Sequence, residues 1–217
     1  MECSYGKFPF KEFYYFCRKK VAILNYLAHI YLSGKSKQMQ IGGFIADFVK
    51  GNKSKTHQQK IWNGIILHRK VDSFTDSHPI VREMIDKMRP EFGRYSAIVL
   101  DMYFDYFLAT NFNRYSKQSL WYFSVQFSAN TLLYYFSLPK KVQGFIFHFI
   151  LSNRLYKYSK ITGLKESLYI MSVYKIKSLQ PEKCINYLMK NDTELENNFL
   201  IFFDELIQFT QNELKTA

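Results

Sequence analysis

Leu100-Asp101-Met102-Tyr103-Phe104-Asp105-Tyr106-Phe107-Leu108 sets two carboxylates four residues apart in a run that is otherwise apolar and aromatic. On a helix, positions i and i+4 share one face, so both acids aim the same way. A free carboxylate is costly to bury, and this pair therefore needs a cation, a proton or polar partners. The spacing recurs upstream in His68-Arg69-Lys70-Val71-Asp72, an imidazole and an acid one turn apart. Taken alone, that second pair reads better as an intrahelical polar contact, or as a surface contact of Asp72 with Arg69, than as a metal site. Asp101 and Asp105 shift the reading, because two carboxylates one turn apart repel unless a proton or cation intervenes. Mixed His and Asp ligands suit Mn²⁺, Mg²⁺ or Fe²⁺ with open coordination positions better than a closed structural zinc.

Two further polar groups stand in apolar surroundings: His29 within Tyr26 to Leu32, and Asp47 within Phe44 to Val49. Each alone is more simply a hydrogen-bonded core residue, but convergence on the two pairs would bury and satisfy all six. His57, in a lysine-rich stretch, is expected at the surface. His148, among phenylalanines, is expected in the core.

Working outward, helix signals cover nearly the whole chain and no convincing period-two series appears, so the expected class is all-α, a single compact helical domain. A first helix runs from Asn25 to Leu32 and closes at Ser33-Gly34. A second runs from Gln38 to Lys50, stopped by Gly51-Asn52, and a third from Lys60 to Phe74. Ser77-His78-Pro79 opens a fourth helix to about Met88, which Arg89-Pro90 breaks before a fifth runs from Glu91 to Asn111. These five hold the polar cluster. Beyond them, Leu120, Phe123, Phe127 and Tyr134, and later Leu195, Phe199, Phe202, Phe203, Leu206 and Phe209, recur at helical spacing as core stripes. Shorter helices are expected between Lys140 and Leu188, with a helix start at Gln180-Pro181-Glu182.

The chain of 217 residues fits one domain, and 47% hydrophobic and 18% aromatic residues argue for a packed, helix-rich globule and against disorder. Charges at Asp47, Lys50, Asp101 and Asp105 interrupt every stretch that approaches the length of a spanning helix. Met1 to Lys20 shows neither the basic-then-apolar order nor the cleavage site of a secretory signal, so a cytoplasmic location is expected. Cys3, Cys17 and Cys184 have no metal-type spacing. A net charge of +12 favours an anionic partner. No nucleic-acid-binding motif accompanies it, and nucleic acid is not expected.

Four blocks carry a resemblance: Asn25 to Gly34, Ile45 to Gly51, Leu67 to Asp72 with Thr75 to Pro79, and Arg89 to Tyr95 with Asp101 to Leu108. In this order they resemble acyl carrier protein phosphodiesterases, closely from Asn25 to about Asn113 and more thinly afterwards. The resemblance implies a helical bundle related to the HD-type metal phosphohydrolases. It also implies removal of 4′-phosphopantetheine from holo-acyl carrier protein, a small acidic partner suited to the positive charge. By the same likeness His68, Asp72, Asp101 and Asp105 would hold a divalent metal, foremost Mn²⁺. Asp47 would be a further ligand or align the attacking water, and His29 would move a proton. Arg69, Lys70 and Arg94 would hold phosphoryl oxygens or partner acids, with solvated-surface roles as the alternative.

The family pattern starts with methionine where Leu24 stands. Residues 1–23 are accordingly expected to be an extension from a misplaced start, and 24–217 the domain. The alternative is an arm that packs Phe8, Phe10, Phe13 and Phe16 on the domain or binds a partner. Two other functions fit the residues: an HD-type phosphohydrolase acting on a nucleotide or other small phosphodiester, and a non-enzymatic helical binding module whose acids and histidines satisfy one another.

Overall fold

The computed structural model describes residues 26–51 and 58–215. The protein is a single compact all-α domain with no strand among the described residues. Its helices are α1 (Tyr26–Leu32), α2 (Lys37–Ile45), α3 (Gln59–Ser77), α4 (Pro79–Phe92), α5 (Ser96–Thr110) and α6 (Phe112–Tyr115). There follow α7 (Leu120–Leu133), α8 (Lys140–Gln143), α9 (Ile146–Leu151), α10 (Arg154–Lys157), α11 (Ile161–Tyr174) and α12 (Pro181–Lys215). Residues 1–23 and His57 lie outside the described residues. No described helix is long and apolar enough to cross a membrane.

α2 and α3 cross closely, because each brings a glycine to the crossing. A Cβ on Gly42 would sit 2.1 Å from the Ile61 carbonyl oxygen, and one on Gly64 would sit 2.2 Å from that of Met39. Ser36 caps α2, its hydroxyl accepting from the Met39 amide. The sequence predicted this helix as far as Lys50, but it ends at Ile45 and tightens into a 3-10 turn over Ala46–Phe48. Arg69 on α3 supplies the reason. Its Nη2 donates to the carbonyls of Val49 (3.0 Å) and Gly51 (3.1 Å), giving the ending chain partners that a further helical turn would otherwise supply.

The predicted break at Arg89-Pro90 does not occur. Pro90 lies inside α4, exposed, and the helix runs on to Phe92, which is buried against Tyr187 (ring centroids 5.2 Å). Losing one backbone donor in the last turn costs less than giving up that contact. The break comes at Gly93, whose φ of +55° favours glycine, and a 3-10 turn (Gly93–Tyr95) leads into α5. The other early proline acts as expected: Pro79 is the first residue of α4.

α12 closes the core. Phe199 and Phe202 pack on Phe104 at 5.4 and 5.2 Å, and Phe199 also meets Phe107 of α5. The helix bends at Asn191, whose φ/ψ of −117°/15° is not helical. The stripes expected from Leu120 and from Leu195 onward are core, with Tyr134 and Phe209 half-buried at its edge. His148 corrects its expectation. Ile146 and Phe149 take the inner face of α9, and the helical turn leaves His148 exposed.

Candidate metal centre

The site starts from where α1 begins. Asp105, fully buried, accepts from the backbone N–H groups of Leu27 (3.5 Å) and Ala28 (3.2 Å), so a carboxylate of α5 fixes the otherwise unpaired first turn of α1. One turn on, His29 points inward, its ring stacked on that of His68 at 3.6 Å between centroids and 17° between planes. Gly43 allows this approach, because a Cβ there would lie 2.6 Å from the Ser33 hydroxyl oxygen and 3.0 Å from the His29 carbonyl.

The Gly43 carbonyl also sets the chemistry of His68. It stands 2.7 Å from Nδ1, and a carbonyl only accepts, so Nδ1 carries the donated proton. Nε2 is then the free end of the ring. It lies 3.3 Å from Asp72 Oδ2 and 3.6 Å from Asp47 Oδ1. A lone pair facing two carboxylates is unfavourable, so this position calls for a proton or a metal cation. Without metal the proton takes it: burial works against the charge, but Asp47 and Asp72 outweigh burial and the His68 pKa is pushed up to about 9. His29 is different. Burial, then the neighbouring His68, lower its pKa and keep the imidazole neutral. Its Nε2 lies 3.2 Å from Asp72 Oδ1 without hydrogen-bond alignment, and neither ring nitrogen has a hydrogen-bond partner. Asp72, half-open to solvent, would have its pKa raised by burial, but the two imidazoles hold it below the usual carboxylate range.

Ligand-capable atoms of His29, His68 and Asp72 lie within 4.8 Å of one another, a group that could hold a metal ion. The donor set fits one. An oriented imidazole braced by a backbone carbonyl, a neutral imidazole with unused nitrogens and a solvent-facing carboxylate are the usual elements of a divalent site. Asp47, on the 3-10 turn, flanks the group. Asp101 sits nearly buried beside it, its pKa well above the ordinary range through burial and then through the carboxylates of Asp72, Asp105, Asp76 and Asp47. An acid so disfavoured as an anion is relieved by a cation nearby. Asp105 lies deeper; burial raises its pKa, opposed by the amides of α1.

Of the cations singled out in the sequence, Arg69 braces the turn that carries Asp47 and lies over the Trp62 ring at 5.4 Å. Lys70 pairs with Glu213 of α12, and Arg94 donates to the Tyr95 hydroxyl (2.6 Å) while lying over its ring. The group missed by sequence reasoning is the Gly43 carbonyl. Its signal was Gly42-Gly43 inside a helical pattern, which marks close approach of backbones.

The family model described as acyl carrier protein phosphodiesterase matches residues 24–206. The chain belongs to that family. Among its relatives, an acyl carrier protein phosphodiesterase of Pectobacterium atrosepticum is 42% identical over 86 residues, 40% of this chain and 45% of the relative. One of Enterobacter sp. (strain 638) is 35% identical over 95 residues, 44% of this chain and 49% of the relative. In these two alignments the chain spans about half the length of the curated relatives it matches. One of Serratia proteamaculans is 27% identical over 186 residues, 85% of this chain and 96% of the relative. No solved structure matches the chain significantly. His29, Asp47, His68, Asp72, Asp101 and Asp105 all fall inside the matched region.

Proposed function

We propose that this chain is a metal-dependent phosphodiester hydrolase that removes the 4′-phosphopantetheine group from holo-acyl carrier protein, leaving the apo form. The observation that carries the reading is His68, its Nδ1 tied to Gly43 and its Nε2 aimed between Asp72 and Asp47, next to the unsatisfied ring of His29. Membership of a family whose curated members are named acyl carrier protein phosphodiesterases supplies the substrate class. The expected kinship with HD-type phosphohydrolases is part of this proposal.

His29, His68 and Asp72 would hold the metal, with Asp101 adding negative charge to the same side. Asp105 supports them through α1. A divalent cation, foremost Mn²⁺ and otherwise Mg²⁺ or Fe²⁺, would supply charge neutralisation at the phosphoryl oxygens and acidify a water. Asp47, at the partly open edge, orients the attacking water and takes its proton. The new bond joins water oxygen to phosphorus, the bond from phosphorus to the carrier serine breaks, and that oxygen takes a proton from solvent as Asp47 returns its own. Arg69 keeps Asp47 in place by bracing its turn. The net charge of +12 favours encounter with an acidic carrier protein, a partner that cytoplasmic residence would supply.

The test is conversion of holo- to apo-acyl carrier protein by the purified chain with Mn²⁺, followed by intact mass, alongside His68→Ala and direct metal analysis. Wild type should remove the arm, and His68→Ala should lose both bound Mn²⁺ and at least 100-fold in rate. Metal binding without conversion would redirect the reading to a different phosphoester. Absence of metal as well would leave a helical binding module.

A further inference from the structure

Sixty residues of this chain, from Tyr106 to Lys165, contain eight lysines and arginines and not one aspartate or glutamate. The same stretch leaves in water side chains that a soluble surface ordinarily covers. On α7, Trp121 and Leu132 face outward, and Leu133 at the end of that helix is 73% exposed. Phe136, in the 3-10 turn Tyr135–Ser137, is 93% exposed. Phe147 and Leu151, one turn apart on α9, continue the face, Leu151 at 86%. The two parts are continuous, because the Tyr135 ring lies 5.5 Å from both Phe136 and Phe147. Lys140 and Lys141, between them in the chain, stand exposed on α8, Lys140 reaching the Gln143 amide oxygen.

We propose that this face docks on an anionic phospholipid surface, with Leu133, Phe136 and Leu151 entering the boundary between headgroups and acyl chains and Lys140 and Lys141 meeting lipid phosphates. Arg114, Arg154, Lys157 and Lys165 pair with acids of other elements, whereas Lys140 and Lys141 stand beside the apolar side chains, the combination an interfacial site requires. A contiguous apolar patch of this kind marks an interaction surface. The form of the patch separates a lipid surface from an acidic protein. The most exposed side chains stand out from a turn and two helix ends; a fluid interface yields to them, whereas a folded partner would need a matching cavity for each. Such docking lies along the membrane and needs no spanning helix. It is also independent of the metal centre, whose residues come from α1, α3, α5 and the turn after α2.

The experiment is co-sedimentation of the full chain with vesicles of phosphatidylcholine alone and of phosphatidylcholine with an equal part of phosphatidylglycerol, with size-exclusion chromatography and holo-carrier assays in parallel. Binding is expected to the phosphatidylglycerol vesicles only and to weaken in high salt. It should fall at least tenfold in Phe136→Asp/Leu151→Asp and, separately, in Lys140→Glu/Lys141→Glu, with hydrolysis of soluble substrate unchanged. The second variant leaves the apolar side chains intact and so guards against misfolding of the first. Vesicle binding that is absent, or equal in the variants, overturns the proposal. So does a dimer that Phe136→Asp/Leu151→Asp dissociates, which would make the face a subunit interface. A raised KM for carrier protein in the same variants would make it a protein-docking surface instead.

Discussion

To deprotonate His68 in the metal-free protein is to remove a positive charge from between Asp72 and Asp47, and folding stability should register it. The folded pKa of about 9 lies above the usual 6.5. The unfolded chain therefore releases this proton first, and the stabilisation is fully present below about pH 6.5 and is lost as pH rises through 9. Thermal melts in EDTA between pH 6 and 9.5 should show that decline, and saturating Mn²⁺ should flatten it by putting a permanent cation where the proton was. A decline unchanged in His68→Ala would locate the titration elsewhere. At this scale the sequence was half legible. The pairs His68 and Asp72, Asp101 and Asp105 announce themselves by their spacing in apolar runs. What each carboxylate faces does not follow from spacing: Asp105 meets the amides of Leu27 and Ala28, far away in the chain, whereas Asp101 faces other acids. A buried acid needs a cation, a proton or polar donors, and only the fold decides which.

Between elements, the crossing of α2 and α3 governs the site because it sets the distance from the Gly43 carbonyl to His68. Gly42→Ala would place a methyl group 2.1 Å from the Ile61 carbonyl oxygen, and a backbone atom cannot rotate away as a side chain can. The helices must part, at a cost of about 1–3 kcal/mol or more. Urea unfolding should show the loss, and Mn²⁺ affinity should fall with it, since the carbonyl that orients the imidazole moves with α2. Unaltered metal affinity in a destabilised Gly42→Ala protein would separate the crossing from the site. Helix boundaries were the least legible feature in the sequence. Pro90 reads locally as a breaker and is outweighed by burial of Phe92, while α2 stops short of its predicted end because an arginine from another helix takes the closing carbonyls. Both outcomes depend on partners that a local pattern does not contain.

Across the molecule, the helical class was legible from periodicity alone, and the outer face of α7 was not. Leu120, Phe123 and Phe127 are core as their spacing predicts, yet Trp121 and Leu133 of the same helix are exposed. A helix apolar on all sides does not reveal which side is covered. Closure by α12 gives a global probe. Cys184 is buried at its start, the Tyr103 hydroxyl donates to its carbonyl (2.6 Å), and burial pushes the thiol up to about 12. In a Cys3→Ser/Cys17→Ser protein, modification by a thiol reagent at pH 8 should proceed only at the rate of unfolding; rapid labelling would mean that α12 opens locally. The position of α12 at the far end of the chain also bears on synthesis. The aromatic face of α5, Phe104 and Phe107, has its cover in Phe199 and Phe202. At roughly 5–20 residues per second, a ribosome exposes that face for on the order of ten seconds before its cover is made. Until α12 emerges, the nascent chain thus carries an uncovered aromatic face on the very helix that holds the buried acids.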